Sequence, residues 1–145
     1  LFTTNAIDGE PLPLYKGGER NVRDWLYVDD HCSGIDTVLR KGQLGEIYNI
    51  AGGNERENIM LTRRILELTG RDESLIKLVP DRPGHDYRYA IDATKLRALG
   101  WQPRMDWDEG VALTVRWYQE HEAWWRKIKS GEFRAYYERQ YGKRR

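Results

Sequence analysis

Length, composition and charge exclude several classes of protein for this chain of 145 residues. It carries 24 Lys and Arg against 23 Asp and Glu, and the net charge of +1 gives no strong field for binding nucleic acid or a membrane surface. The single cysteine, Cys32, excludes an internal disulfide and is typical of the reducing cytoplasm. No apolar run approaches the roughly 20 residues that a membrane-spanning helix needs. We therefore expect a cytoplasmic protein with a single domain over residues 1–145.

The first residues predict a helix followed by an extended segment. The chain begins without Met, and residues 1–6 have the apolar pattern of a helix interior, so we expect a fragment of a longer protein. Residues 11–15 are expected to be extended because Pro11 and Pro13 disfavour a helix. A Gly-Gly turn follows at 17–18.

Strands and helices alternate along the rest of the chain, which predicts an α/β fold. The predicted strands lie at 22–28, 46–50 and 75–79. Between the strands, one helix is capped by Asp29 or Asp30 and ended by Gly42, and another is capped by Asn58 and runs through Leu68. After the last strand come a short helix from Asp92 to Leu99 and a long helix that Asp106 caps and that runs to about Lys129. Three strands are few for a complete doubly wound sheet, so we expect a domain that packs against another.

The most informative stretch is Asp-Arg-Pro-Gly-His-Asp at residues 81–86. Pro83 fixes its own φ, and Gly84 permits a positive φ and a close approach of the backbone. A turn built in this way directs Arg82 and His85 towards a common point, where a phosphorylated ligand could bind. The alternative is a surface loop whose charges face water.

Three further residues have both a structural and a functional interpretation. Tyr15 follows Pro-Leu-Pro and could either offer a flat surface to a nucleobase or cover the core. Arg23 could pair with Asp24 or Glu19, or it could bind a phosphate. Asn58 is interpreted first as a helix cap and only second as a ligand contact.

Other candidate sites are rejected on their spacing. Gly52-Gly53-Asn54 lacks the G-x-G-x-x-G spacing of a dinucleotide site, and the chain has no Walker motif. His31, His85 and His121 do not have the spacing of metal ligands. The aromatic tail that ends in Lys-Arg-Arg at 143–145 suggests nucleic acid, but nearby acidic residues dilute its charge.

Three stretches together carry a resemblance to a known family. They are residues 21–31 (NVRDWLYVDDH), 48–55 (YNIAGGNE) and 81–92 (DRPGHDYRYAID). In these stretches the chain resembles the C-terminal half of the dTDP-glucose 4,6-dehydratases, which are extended short-chain dehydrogenase/reductases. The resemblance implies a small substrate-binding domain with few strands and flanking helices, from which the Rossmann half is absent.

The resemblance also implies roles for individual residues. A tyrosine stacks on thymine with a proline beside it, an arginine contacts the diphosphate, an asparagine lies near the nucleotide, and two residues of the turn serve the phosphate and ribose side. These substrate-binding residues would be Tyr15, Pro13, Arg23, Asn58, Arg82 and His85, respectively. No catalytic, cofactor-binding or metal-binding residue is expected in the chain.

The activity implied by the resemblance is the conversion of dTDP-glucose to dTDP-4-keto-6-deoxyglucose with NAD. That reaction needs a Tyr-x-x-x-Lys pair, an Asp-Glu pair and a glycine-rich NAD fingerprint. None of the nine tyrosines of this chain is followed four residues later by Lys. We therefore expect that the N-terminal NAD-binding domain is missing, that NAD is bound only in the complete enzyme, and that the chain alone is inactive.

The resemblance further implies dTDP-glucose or dTDP as a ligand and a homodimer as the assembly. Three alternatives stay open from the sequence. The chain could be a free-standing, non-catalytic module that binds nucleotide sugars, a fragment of a related epimerase, or an interaction protein that uses its basic aromatic tail on nucleic acid.

Overall fold

Two small two-stranded sheets, flanked by helices, make up the fold in a computed structural model that describes residues 1–131. The helices are α1 (Phe2–Asp8), α2 (Val28–Lys41), α3 (Asn58–Leu68), α4 (Thr94–Arg97), α5 (Trp107–Glu120) and α6 (Glu122–Lys129). The strands are β1 (Leu12–Tyr15), β2 (Val22–Asp24), β3 (Glu55–Glu57) and β4 (Ile76–Val79), and a 3₁₀ turn at Glu73–Leu75 precedes β4. The predicted α/β class, with few strands and flanking helices, is confirmed.

Strand pairing brings distant parts of the chain together. β1 runs parallel to β4, with Leu12 opposite Ile76 and Tyr15 opposite Val79. β2 runs antiparallel to β3, and Val22 also forms a bridge to Arg88 beyond β4. The end of β1 and the start of β2 therefore both lie next to the segment that follows β4, which contains the turn at 81–86.

Two apolar clusters form the core. The first joins α1, β1, α3 and α5 through Ala6, Leu12, Ile65, Leu66 and Val115. Ile65 and Leu66 follow the buried Thr62 at i+3 and i+4, so α3 presents one apolar face to this cluster.

The second cluster contains Ala51, Ala93, Leu96 and Trp101. Val38 of α2 packs against this cluster, and the buried Asp30 of the same helix accepts hydrogen bonds from the backbone N–H groups of Arg104 and Met105 at 3.0 and 2.9 Å.

Several predicted elements are shorter than expected, or absent. β2 ends at Asp24 instead of continuing to 28, because the Asp24 carboxylate accepts from the amides of Gly53 and Asn54 and the chain then turns into α2. Tyr27, and neither Asp29 nor Asp30, occupies the N-cap of α2; both acids lie in its first turn. The predicted strand at 46–50 is wrong, since that segment is extended but belongs to none of the described strands.

The helices after residue 90 also differ from expectation. The helix predicted from Asp92 to Leu99 is limited to α4, although Asp92 accepts from Thr94 N. Asp106 caps α5 as predicted, accepting from the N–H groups of residues 108 and 109. The predicted long helix is interrupted at His121, which has ψ of 37° and whose ring stacks on Trp117 at 4.5 Å.

Two further expectations concern membranes and the tail. Within residues 1–131, none of the helices has the length and apolar character needed to cross a membrane. The aromatic and basic tail at 132–145 lies outside the described residues.

Candidate functional site

A cleft of about 550 Å³ opens between α1, the end of β1 and the start of α3. Trp25 and the apolar side chains Leu61 and Ile65 form part of its wall. Five of the six residues predicted to bind substrate also line it, namely Pro13, Tyr15, Arg23, Asn58 and His85. The sixth, Arg82, is exposed on the turn and is not among the residues that line the cleft.

Tyr15 is held at the end of β1 by a turn of the backbone. Lys16 N donates to Val79 O at 2.8 Å, and Gly18 N donates to Tyr15 O at 2.9 Å, so the strand pairing and the glycine turn fix the residue on both sides. The Tyr15 ring is 38% exposed and meets the His85 ring edge to face, with centroids 5.3 Å apart. Tyr15 therefore keeps exposed surface at the cleft, where a flat ligand could contact its ring.

The Arg23 guanidinium contacts the segment of residues 85–89 and no carboxylate of the described chain. One of its terminal nitrogens donates to Val22 O at 2.6 Å and to Tyr87 O at 3.3 Å. The other donates to Asp86 O and to His85 Nε2, both at 2.9 Å. Arg23 is thus a cation whose described hydrogen-bond partners are all neutral acceptors, which leaves its charge available for an anion. The predicted alternative of a pair with Asp24 or Glu19 does not form.

The ring of Tyr89 completes the surroundings of this guanidinium. The Arg23 Cζ atom lies 4.2 Å from the centroid of the Tyr89 ring, in a cation–π contact. The segment that carries Tyr89 is held to β3 by Arg88, whose guanidinium donates to both carboxylate oxygens of Glu55 at 2.6 and 2.8 Å. Hydrogen bonds from Arg88 lower the pKa of Glu55 from its ordinary value.

The hydrogen bonds of His85 determine which ring nitrogen carries the proton. Its side chain is 10% exposed, and its Nδ1 lies 2.8 Å from Asp81 Oδ1. Since the Arg23 guanidinium can only donate, Nε2 accepts from it, and we assign the hydrogen to Nδ1, whose nearer partner is the Asp81 carboxylate at 2.8 Å and not the Asn21 amide nitrogen at 3.4 Å. Gly84 has a φ of +69°, the positive φ that the sequence predicted for this turn.

Asn58 has a different role from the predicted helix cap. Glu57 is the N-cap, and Asn58 is the first residue of α3. The Asn58 side-chain amide donates to Gly18 O at 3.2 Å, and its backbone N–H donates to Asn21 O at 3.0 Å. Asn58 therefore fixes the turn between β1 and β2 against the start of α3.

The described residues do not fit a dinucleotide or a metal ion. Gly53 N and Asn54 N, the amides that a phosphate would need after the Gly-Gly pair, already donate to the Asp24 carboxylate at 3.1 and 2.7 Å. Within residues 1–131, no cluster of three or more His, Cys, Asp or Glu side chains could hold a metal ion. A smaller cavity of about 240 Å³ near α5 has a mostly apolar lining and lacks a basic side chain.

Two neighbours of the site were missed by the sequence analysis. Asp81 orients His85, and its position four residues before that histidine, across a Pro-Gly turn, was a usable signal. Asn21 Nδ2 lies 3.4 Å from His85 Nδ1, a contact across 64 residues for which the sequence has no local signal.

Comparisons with known proteins place the chain among the nucleotide-sugar dehydratases. The family model described as GDP-mannose 4,6 dehydratase matches residues 1–114. A dTDP-glucose 4,6-dehydratase from Streptomyces niveus is 47% identical over 131 residues, which are 90% of this chain and 39% of that protein. The predicted resemblance is therefore confirmed.

Solved structures agree with the sequence comparison. DesIV, a dTDP-glucose 4,6-dehydratase from Streptomyces venezuelae with NAD and TYD bound, matches with a TM-score of 0.81 and 50% identity over 86% of this chain and 38% of that chain. A UDP-glucose 4-epimerase from Thermotoga maritima with UDP-glucose matches with a TM-score of 0.74 and 32% identity over 82% of this chain and 38% of that chain. The chain spans about two fifths of the length of these relatives.

Proposed function

Since the chain belongs to the GDP-mannose 4,6 dehydratase family, we propose that it is the substrate-binding part of a dTDP-glucose 4,6-dehydratase. The observation that carries this proposal is the cleft in which Arg23, a cation without a described carboxylate partner, contacts His85, whose ring in turn meets the ring of Tyr15. A nucleoside diphosphate presents the matching groups, namely a flat base and two charged phosphates.

Each residue of the cleft has a role in the proposal. Tyr15 stacks on the base, with Pro13 beside it at the edge strand β1, where a residue without an N–H group is tolerated. Arg23 and His85 bind the diphosphate, and Asn58 holds the turn that shapes this end of the cleft. Arg82, which is exposed on the turn that carries His85, has the role of a further phosphate contact in the proposal.

The complete reaction needs NAD, which would accept a hydride from the sugar and return it. The turn at residues 52–54 does not offer a phosphate site for that cofactor, because the Gly53 and Asn54 amides donate to Asp24. The chain also has no Tyr-x-x-x-Lys pair. We therefore propose that these residues bind and orient the nucleotide sugar, and that NAD and the proton-transferring residues belong to a part of the enzyme outside the 145 residues. The chain alone should give no keto sugar from dTDP-glucose and NAD.

The test is a titration of the chain with dTDP and with UDP, followed by NMR at Tyr15 and at residues 81–86. We expect saturable shifts at both places, with tighter binding of dTDP. Replacing Arg23 with Gln should weaken dTDP binding by about 10- to 150-fold, because a charge-assisted hydrogen bond to phosphate contributes about 1.5–3 kcal/mol.

Arg40→Gln is the matched control for that variant. It removes the same charge from an exposed pair with Asp36 on α2, so dTDP affinity should stay within about twofold. Equal weakening by both variants would show that net charge, and not the cleft, attracts the nucleotide. Absence of any saturable shift in the unsubstituted chain would overturn the proposal.

A further inference from the structure

The contact between Arg23 and His85 has a consequence for anion binding. We propose that the cleft takes up one proton when a nucleoside diphosphate binds, that the proton goes to Nε2 of His85, and that Asp81 makes this uptake obligatory. The inference rests on the proposed function, since it describes how the same cleft receives its phosphates. It adds Asp81 as the residue that couples binding to pH.

The first step is the state of the histidine without ligand. Nε2 carries a lone pair that accepts from the Arg23 guanidinium at 2.9 Å, and Nδ1 carries the hydrogen that is donated to Asp81 Oδ1 at 2.8 Å. The ring is therefore neutral, with both nitrogens engaged. The groups that face it are Arg23 from β2, Asp81 from the turn, Tyr15 from β1 and Asn21 from the turn before β2.

The second step is the arrival of the phosphates. Phosphate oxygens accept hydrogen bonds and compete with Nε2 for the donors of Arg23. An unprotonated Nε2 would then place its lone pair against an anionic oxygen, which is unfavourable in a site where the side chain is 10% exposed. A proton taken from solvent onto Nε2 converts this nitrogen into a donor to the phosphate. No other bond is formed or broken in this step.

The third step excludes a simple exchange of tautomers. If the hydrogen moved from Nδ1 to Nε2, the Nδ1 lone pair would face the Asp81 carboxylate, which has no hydrogen to donate. Asp81 therefore keeps the hydrogen on Nδ1, and Nε2 can gain one only if the ring becomes an imidazolium. The negative charges of Asp81 and of the bound phosphates then stabilise the imidazolium and offset its repulsion by the Arg23 guanidinium.

The variant Asp81→Asn distinguishes obligatory proton uptake from a simple exchange of tautomers. The amide oxygen of Asn can still accept from His85 Nδ1 and from the backbone N–H of Arg82, which donates to Asp81 at 2.7 Å, so the turn keeps its hydrogen bonds. An Asn can instead rotate its amide and donate to Nδ1, giving up the hydrogen bond from the Arg82 N–H, and this permits the neutral tautomer with hydrogen on Nε2. The variant should bind the nucleotide without proton uptake.

The experiment is isothermal titration of the chain with dTDP-glucose near pH 7.5, in two buffers with different ionisation enthalpies. The diphosphate of dTDP-glucose is esterified at both ends and has no group that titrates near this pH, so the protons counted come from the protein. We expect uptake of up to one proton, since the two hydrogen bonds of His85 leave Nε2 without a hydrogen before the ligand binds. Asp81→Asn should reduce the uptake to about zero, whereas Asp86→Asn, an exposed acid of the same turn, should leave it unchanged.

A second measurement tests the inference without ligand. The ¹⁵N shifts of His85 in the free chain should report hydrogen on Nδ1, and a neutral ring with hydrogen on Nε2 would overturn it. Binding of dTDP-glucose without proton uptake would refute the coupling and leave the proposed function standing. Uptake that persists in Asp81→Asn would refute the role of Asp81. No binding at all would overturn the proposed function and, with it, this inference.

Discussion

Replacing the buried Asp30 with Asn should destabilise the domain by about 2–4 kcal/mol. The carboxylate is 6% exposed and accepts from two backbone N–H groups, of Arg104 and Met105, at 3.0 and 2.9 Å. Hydrogen bonds to a charged group contribute about 1.5–3 kcal/mol each, and Asn can keep only one of the two because its NH₂ group cannot accept. For a domain of this size, the expected loss corresponds to a fall in Tm of about 6–12 °C.

The neighbouring Asp29 provides the control for this substitution. Asp29→Asn removes the same charge from the same first turn of α2, so the interaction with the helix dipole changes by a similar amount in both variants. Asp29 is exposed, and its substitution should cost less than about 1 kcal/mol. Urea unfolding of the two variants measures the difference. If Asp30→Asn is no more destabilising than Asp29→Asn, the two hydrogen bonds do not fasten residues 104–105 to α2 as argued.

Two further predictions concern the core and the first helix. Leu12→Ala should lower the free energy of unfolding, measured in guanidinium, by about 2–5 kcal/mol because Leu12 is 0% exposed. Leu39→Ala, at 83% exposure, should change it by no more than about 0.5 kcal/mol. Equal losses in the two variants would contradict the assigned core. The Lys129 ammonium, hydrogen-bonded to Asp8, holds the pKa of that carboxyl below its ordinary value of 3.8, so its stabilisation is complete above pH 3.8 and is lost as the pH falls through the lowered value. In the Lys129→Gln variant, the free energy of unfolding in urea should therefore fall less steeply between about pH 5 and pH 2. An unchanged pH dependence would show that this ion pair does not cause the loss of stability in acid.

Local rules predicted those parts of the fold that depend on neighbouring residues. The helix α3 ends at Leu68 as predicted, although Glu57 and not Asn58 is its N-cap, and Asp106 caps α5 as predicted, since periodicity and capping act within a few residues. The turn with Gly84 at positive φ follows equally from its Pro-Gly pair. The residues alone made Tyr15, Arg23, Asn58, Arg82 and His85 candidates, and the resemblance favoured their binding roles over the structural alternatives. Five of the six predicted residues line one cleft.

The errors lie where long-range contacts override local preference. The segment at 46–50 has residues typical of a strand, yet no described strand pairs with it, and its Tyr48 and Ile50 side chains pack on the second core cluster instead. Nothing near Asp24 in the sequence indicates that its carboxylate binds amides 29 and 30 residues away. The contact of Arg23 with His85 spans 62 residues and depends on the pairing of β2 with the chain after β4.

Backbone hydrogen bonds, and not the Arg23 side chain alone, bring the turn at 81–86 to β2. Val22 N donates to Tyr87 O at 2.8 Å, and Tyr89 N donates to Val22 O at 3.0 Å, so the main chain fixes the distance between β2 and the segment after the turn. On β2, Arg23 and Asp24 point to opposite faces, and the strand therefore holds one loop through each side chain. Because the backbone sets the geometry, a substitution such as Asp81→Asn can change the protonation of His85 without displacing it. The fold thus separates the position of the anion site from its charge state, and each can be tested alone.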